Sequence, residues 1–292
     1  MSQHSTPKAV IPKDGIDCHM HVFGELDAYP PSPKRSYTPR VATLEDYLAM
    51  LHSIGMTRNV FVQASAYGTD NRCMLDALRV RGHLSRGVAV IDPDISESAL
   101  DEMHALGVRG VRLNIATFGL SDQTALRTQL DRTIAKVAPR GWHVQIFAGM
   151  EMLAVLRPGI EAAGCPIVID HMGLAVATAG LDQPGFLMLK ELLGLGHVWV
   201  KVSGFYRVSH QERDFSEATP YAAALIAANP QRCVWGTDWP HTGAHGRSLA
   251  DGPPLIEYRK LDDGVLLDLL AEAAGPHLHR VLVDNPAKLY QF

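Results

Sequence analysis

Three short segments of the chain combine histidine and aspartate in patterns that suit hydrolytic or metal chemistry. The first, residues 15–24, has the sequence GIDCHMHVFG and carries His19 and His21 at alternate positions. Successive side chains of a strand point to opposite faces, so we expect both imidazoles on one face, with Asp17 below them and Cys18 on the other face. Two neighbouring histidines can bind a divalent metal ion or polarise a carbonyl group.

Further candidates stand at the ends of other strand-like runs. His171 lies in VIDHMG, Asp238 in GTDWPH and Arg112 in VRGVRLN. Imidazole nitrogens and a carboxylate oxygen are ligands that Zn²⁺ or a similar divalent ion takes. They also suit hydrolysis without a metal, because Asp238 could accept a proton from water while the other groups hold a developing oxyanion. The residues alone leave both interpretations open.

Eight strand-like runs alternate with amphipathic, helix-like segments along the chain. The runs are GIDCHMHVF, RNVFVQAS, RGVAVI, VRGVRLN, GWHVQIF, PIVIDHMG, VWVKVSG and RCVWGTDWP. Several helical segments end on a glycine just before the next run, as a left-handed C-cap requires: Gly55, Gly82, Gly107 and Gly141. This alternation predicts a parallel sheet covered by helices, and eight units favour a closed barrel of the α/β class, a (β/α)8 TIM barrel.

The barrel brings the candidate residues together. The carboxyl ends of all strands share one mouth in a parallel barrel, and active sites of such barrels lie there. His143 enters its strand early, so we expect it deep in the barrel rather than at the mouth. Long nonhelical stretches follow strands one, seven and eight and should surround the mouth. The first of them, GELDAYPPSPKRSYTPR, could be a moving lid or could simply pack on the rim.

Composition indicates a soluble enzyme of one domain. The chain has 292 residues, 47% of them hydrophobic, and a net charge of −4. Without a long basic run, nucleic acid and anionic membranes are not expected partners. No secretory signal, membrane-spanning stretch or CxxC pair is present, which favours a cytoplasmic protein. We predict a flexible tail at 1–14 and a single barrel domain at 15–292, and the sequence does not indicate an oligomeric state.

Several motifs resemble a known enzyme family. DCHMH, DHMG and WGTDWPH, supported by SYTPR, VQASAYGTDNR, GVRGVRLN, GWHVQI and LVDNPAKLY, resemble the amidohydrolase superfamily (amidohydrolase-related family 2). Within it they are similar to the 2-pyrone-4,6-dicarboxylate lactonase-like branch. The resemblance implies a distorted (β/α)8 barrel that hydrolyses a small-molecule lactone. It also implies that Asp238 is the general base for water, and that His19, His21 and His171 surround the scissile carbonyl.

The resemblance further implies that Tyr37 and Arg112 bind substrate, while neighbouring positions depart from the family pattern. Phe147 replaces a tyrosine, Leu174 replaces an arginine, and residues 113–126 lack a second arginine. Each lost charged contact would weaken binding of a dianion by roughly 1.5–3 kcal/mol. We therefore expect a pocket lined by Phe147 and Leu174 that takes an organic-acid or sugar-acid lactone with at most one carboxylate near Arg112. The pyrone dicarboxylate is not the expected preferred substrate.

Metal content and two rival activities stay open. Many amidohydrolases use a strand-five histidine as a metal ligand, and Phe147 occupies that position here. His19, His21 and Asp238 could still hold one divalent ion such as zinc together with a water molecule. The alternatives to a lactonase are a metal-dependent decarboxylase and a lactone isomerase of the same superfamily. A barrel that binds a small ligand without turning it over is a further alternative.

Overall fold

Eight parallel strands form the centre of the molecule. A computed structural model describes residues 4–118, 122–243 and 253–292. Their strands are β1 (Ile16–Met20), β2 (Arg58–Val62), β3 (Ser85–Ala89), β4 (Val108–Asn114), β5 (His143–Phe147), β6 (Ile167–Ile169), β7 (Val198–Lys201) and β8 (Cys233–Val234). Each strand pairs in parallel with the next, from β1 to β8. The predicted (β/α)8 barrel is confirmed.

Helices cover the outside of the barrel. They are α1 (Leu44–Ser53), α2 (Arg72–Arg81), α3 (Glu97–Ala105), α4 (Ile115–Phe118), α5 (Gln123–Val137), α6 (Met150–Glu161), α7 (Pro184–Leu193), α8 (Phe205–Val208), α9 (Thr219–Ala228), α10 (Asp263–Ala274) and α11 (Asn285–Tyr290). All four glycines predicted at helix ends adopt a positive φ, which confirms these boundaries. Among the described residues no helix has the length and apolar character needed to cross a lipid bilayer.

The barrel closes through the segment that follows the short strand β8. The amide of Asp238 donates to the carbonyl oxygen of His19 at 2.8 Å, and the amide of His21 donates to that of Trp239 at 2.9 Å. These bonds join the two ends of the sheet. They also place the side chain of Asp238 beside those of both histidines, so the closure of the barrel builds part of the site.

The alternation predicted for β1 is wrong in part. The pairing register with β2 shifts between Asp17 and Met20. Asp17 accepts a hydrogen bond from the hydroxyl of Tyr47 in α1 at 3.0 Å, so its side chain points towards the helical layer. Cys18 belongs to the smaller core cluster, which residues from six strands share inside the barrel. His19 nevertheless lies with His21 at the mouth, because the shift changes which side chains point inward.

The chain before β1 lies along α10. The amide of Ser5 donates to Asp262, and the amide of Ala9 donates to Asp268 at 3.0 Å. These contacts connect the segment to the outside of the barrel. That residues 1–14 behave as a flexible tail stays a prediction, and residues 1–3 lie outside the described ranges.

Candidate active site

The structure brings all eight predicted site residues to one place. A pocket of about 440 Å³ opens at the carboxyl ends of the strands. Six of the predicted residues line it: His21, Tyr37, Arg112, Phe147, Leu174 and Asp238. The other two, His19 and His171, are buried and approach the carboxylate of Asp238 from inside the protein. The catalytic roles assigned to these residues stay predictions.

A larger cavity of about 1080 Å³ lies beside this pocket, against β4, α5 and the segment that follows β3. It shares Ser65, Arg112 and Asn114 with the pocket, but its lining includes neither Asp238 nor any histidine. Size alone would favour this cavity, whereas the convergence of titratable groups favours the pocket around Asp238 as the candidate site.

Asp238 is the centre of the site, and its two carboxylate oxygens have different surroundings. Oδ2 accepts hydrogen bonds from the hydroxyl of Tyr206 at 2.5 Å and from the guanidinium of Arg207 at 2.8 Å. Oδ1 is buried and has no hydrogen-bond partner among the described residues. The Nε2 atoms of His19 and His21 each lie 3.6 Å from it. Oδ1 is thus the oxygen available to a reacting water molecule.

The environment of Asp238 keeps its carboxylate ionised. Burial alone would raise its pKa, but the charge of Arg207 outweighs burial and holds the pKa well below its usual value. The carboxylate is therefore present at neutral pH and can act as a base.

The hydrogen bonds of His21 and His171 indicate which nitrogen of each imidazole is available to a water molecule or a substrate. Nδ1 of His21 lies 2.8 Å from the carbonyl oxygen of Val62, so it carries the proton and leaves a lone pair on Nε2. Nδ1 of His171 lies 3.0 Å from the hydroxyl of Ser203, and its buried Nε2 has no partner among the described residues. Burial lowers the pKa of His171 to about 4, so the ring is neutral.

A buried network supports His19 from the barrel interior. Nζ of Lys201 donates to Gln145 at 2.7 Å and to the carbonyl oxygen of Cys18 at 2.9 Å, and it lies 3.2 Å from Nδ1 of His19. Oδ1 of Asp170 lies 3.5 Å from the same Nδ1 atom. The network fixes the position of the His19 ring and leaves its Nε2 directed at Asp238.

The arginine predicted to bind substrate is also part of this network. Nε and Nη2 of Arg112 both lie 3.1 Å from Oδ2 of Asp170, and these bonds do not use its other amino group. Burial would raise the pKa of Asp170, but Lys201, His19 and Arg112 together hold it well below its usual value. Arg112 is therefore held rigidly while it lines the pocket.

Phe147 and Leu174 border the pocket as predicted. The ring of Phe147 stands edge-on to that of His171, with centroids 5.5 Å apart, and Arg112 lies 4.9 Å above the same ring. Leu174 adopts a positive φ of 54°, and so do His171 at 49° and Asp238 at 63°. Such backbone conformations are costly for residues other than glycine, and they cluster at functional sites.

Comparison with known proteins identifies the family. The amidohydrolase family model matches residues 16–292. The chain belongs to the amidohydrolase family. A 2-pyrone-4,6-dicarboxylate hydrolase from Comamonas testosteroni is 36% identical, over 98% of this chain and 93% of its own. A 4-sulfomuconolactone hydrolase from Rhizobium radiobacter is also 36% identical, over 96% of this chain and 91% of its own. The predicted family is confirmed, and the chain is an enzyme.

A solved structure supports the fold independently. The crystal structure of a protein from Agrobacterium tumefaciens superposes with a TM-score of 0.83 and is 24% identical. The match covers 98% of this chain and 99% of that one. At this identity the likeness shows the barrel and not its chemistry.

The site of this amidohydrolase offers a donor set that fits one divalent metal ion. Nitrogen atoms of His19 and His21 and an oxygen of Asp238 lie within 4.8 Å of one another. The two contacts of 3.6 Å agree with ligands held about 2.0–2.2 Å from a tetrahedral zinc ion. The buried, unpaired Nε2 of His19 and Oδ1 of Asp238 are the atoms that such an ion would satisfy. The strand-five position, Phe147, supplies no ligand.

Four residues that contact Asp238, His19 or Arg112 were not predicted from the sequence. They are Asp170, Lys201, Tyr206 and Arg207. Asp170 directly precedes His171 in the DHMG motif, and Lys201 is a single charge within an apolar strand. Both residues could therefore have been recognised from the sequence. Tyr206 and Arg207 lie in α8, a single helical turn within the stretch after β7 that was predicted to be nonhelical, and four residues are too few to show a helical period.

Proposed function

We propose that this amidohydrolase hydrolyses the lactone of a small organic acid or sugar acid. The observation that carries the proposal is the unpaired Oδ1 of Asp238, which faces two histidine nitrogens at the floor of a pocket. The relatives from Comamonas testosteroni and Rhizobium radiobacter, both named as hydrolases, give support, since 4-sulfomuconolactone is a lactone by name.

In this proposal a water molecule sits between Oδ1 of Asp238 and Nε2 of His21. His21 accepts one hydrogen bond from the water, because its Nδ1 already carries the ring proton. The water oxygen attacks the ester carbonyl carbon as its other proton moves to Oδ1. Arg207 and Tyr206 hold Oδ2 and so fix the direction in which Oδ1 points.

The carbonyl oxygen becomes an oxyanion in this step and needs hydrogen-bond donors. His171 is placed to supply one, because the Ser203 hydroxyl can donate to its Nδ1 and leave the proton on Nε2. His19 lies beside it, with ring centroids 4.7 Å apart. When the ring C–O bond breaks, Asp238 returns its proton to the leaving oxygen, and the product is an open-chain hydroxy acid.

A bound metal ion would add to this chemistry. His19, His21 and Asp238 would hold it, and a divalent ion there would polarise the ester carbonyl and make the attacking water more acidic. With or without a metal ion, Arg112 and Tyr37 orient the substrate at the wall of the pocket.

Acid release tests the proposal directly. We expect the protein to acidify a pH-indicator solution of at least one lactone in a panel of pyrones, muconolactones and aldonolactones. Asp238→Asn should lower kcat by about 10³-fold or more, because it removes the base. Asp182→Asn, which changes an exposed aspartate that does not line the pocket, is the matched control and should keep full activity.

The product distinguishes the alternatives. Near-normal turnover by Asp238→Asn would show that another group takes the proton from water. A rearranged lactone without acid release would identify an isomerase, and release of CO₂ would identify a decarboxylase. Thermal melting of both variants shows whether the fold persists when Arg207 loses its carboxylate partner.

A further inference from the structure

Three arginines line the pocket, and they differ in what they bind. Arg112 is paired with Asp170, and Arg207 is paired with Asp238. Arg259 also lines the pocket, but its guanidinium forms no ion pair with any residue of the described ranges. The first two charges are therefore balanced by buried carboxylates, whereas no carboxylate within the described ranges balances the charge of Arg259.

Aromatic rings space the three guanidinium groups. The ring of Phe147 lies 4.9 Å from the guanidinium of Arg112 and 5.7 Å from that of Arg207. The ring of Tyr206 lies 5.0 Å from Arg207 and 5.4 Å from Arg259. Each ring face attracts a cation, so the rings hold like charges close together without direct contact. Arg259 is the last member of this row and stands at the exposed rim of the pocket.

The backbone at Arg259 is fixed although its side chain is exposed. Its amide donates to the carbonyl oxygen of His241 at 3.0 Å. The preceding residue, Tyr258, stacks on Phe23 with ring centroids 5.8 Å apart. Two residues earlier still, the amide of Ile256 donates to Thr38 of the first loop at 3.0 Å. The guanidinium is therefore presented to the pocket from an anchored segment.

We propose that Arg259 is a specificity-determining residue that binds an anionic substituent of the lactone, a carboxylate or a sulfonate, remote from the scissile carbonyl. The inference rests on the proposed lactonase function. It revises the expectation of at most one carboxylate, which considered Arg112 alone. Two oxygens of a carboxylate or of a sulfonate can accept hydrogen bonds from two N–H groups of one guanidinium, so an arginine at this place selects a second anion.

Two lactones that differ by one anionic group test this inference. Muconolactone and its 4-sulfo derivative are such a pair. Arg259→Gln should raise KM for the sulfonated lactone about fivefold to tenfold, with kcat unchanged, and should change KM for muconolactone less than about twofold. Arg259→Lys should recover part of the loss. The neighbouring Lys260→Gln is the matched control, because Lys260 is exposed and does not line the pocket.

Equal effects of Arg259→Gln on both lactones, or no effect on either, would overturn the inference. If the wild type opens neither ring, the proposed function fails for those rings, and binding of citrate decides the role of Arg259 separately. Calorimetry should then show that Arg259→Gln weakens citrate binding about fivefold or more, while Lys260→Gln does not. Equal affinity of the three proteins for citrate would overturn the inference without reference to turnover.

Discussion

Lys201 is a buried lysine that positions one of the proposed catalytic histidines. Lys201→Met would remove the donor to Gln145 and Cys18, and would take a positive charge from beside Asp170. Breaking a buried ion pair costs about 3–5 kcal/mol, so we expect the free energy of unfolding to fall by at least about 3 kcal/mol. The ring of His19 would also lose its neighbour at Nδ1, and kcat should fall about tenfold or more with little change in KM.

Urea unfolding and steady-state kinetics on the same preparation separate the two effects. Lys13→Met, which changes an exposed lysine before β1, is the control and should alter neither quantity. If Lys201→Met is less stable but keeps the kcat of the wild type, Lys201 supports the fold and does not position His19.

Residue types and spacing predicted the centre of the site but not its support. Histidine and aspartate at the ends of buried strands could be recognised as candidates, because these residue types have few roles at such positions other than catalysis or metal binding. The partners of these residues come from distant parts of the chain, as in the bond between Lys201 and Cys18, which lie 183 positions apart. Arg207 and Arg259 were missed for a related reason, since the four-residue helix α8 and the irregular segment after β8 give no period from which a direction could be inferred.

At the level of elements, the junction of β1 with the segment after β8 is closely packed. A Cβ atom at Gly236 would lie 2.4 Å from the backbone nitrogen of His19 and 2.7 Å from its Cβ atom. Gly236→Ala should therefore push the two ends of the barrel apart and move His19 away from Asp238. We expect a loss of about 1–3 kcal/mol in stability and a larger fractional loss of kcat.

Gly164→Ala is the matched control, because a Cβ atom there would meet nothing within 4 Å. Thermal melting and the acid-release assay measure both variants. Wild-type activity in Gly236→Ala would mean that the barrel accommodates the methyl group without moving His19.

In β1, the sequence periodicity predicted the direction of some side chains and not of others. A strict two-residue alternation correctly put His19 and His21 together, but it misplaced Asp17 and Cys18. The register shift lies in the pairing of β1 with β2, and the sequence of β1 alone does not indicate it. Helix ends were predictable by contrast, because a glycine with positive φ is a local requirement.

For the whole molecule, eight alternating units were enough to predict the barrel, and the barrel was enough to predict the mouth as the site. His143 lies within the barrel, as its early position in β5 indicated, with its ring edge-on to Tyr290 at 5.2 Å. The size of the cavities and the number of arginines around the mouth depend on how loops pack, which no local pattern encodes.

Buried histidines make the stability of the whole barrel depend on pH. Burial lowers the pKa of His143 to about 3 and that of His171 to about 4, and it holds the pKa of His19 well below its usual value. Each is neutral in the folded protein but takes up a proton below about pH 6.5 once the chain unfolds. Asp17 acts in the opposite direction, because burial raises its pKa to about 6 and the folded protein binds that proton.

Near pH 5 the unfolded chain therefore binds about two more of these protons than the folded barrel, so stability should rise by about 2.7 kcal/mol per pH unit. The rise should become less steep near pH 6.5, where the unfolded histidines are half protonated, and end about one pH unit higher. Urea unfolding at pH 4.5, 5.5 and 6.5, with a chelator to remove metal ions, measures this slope. His143→Leu removes one of the three histidine protons without touching the mouth, and it should lower the slope by about 1.4 kcal/mol per pH unit. An unchanged slope in this variant would mean that His143 also binds its proton inside the folded barrel.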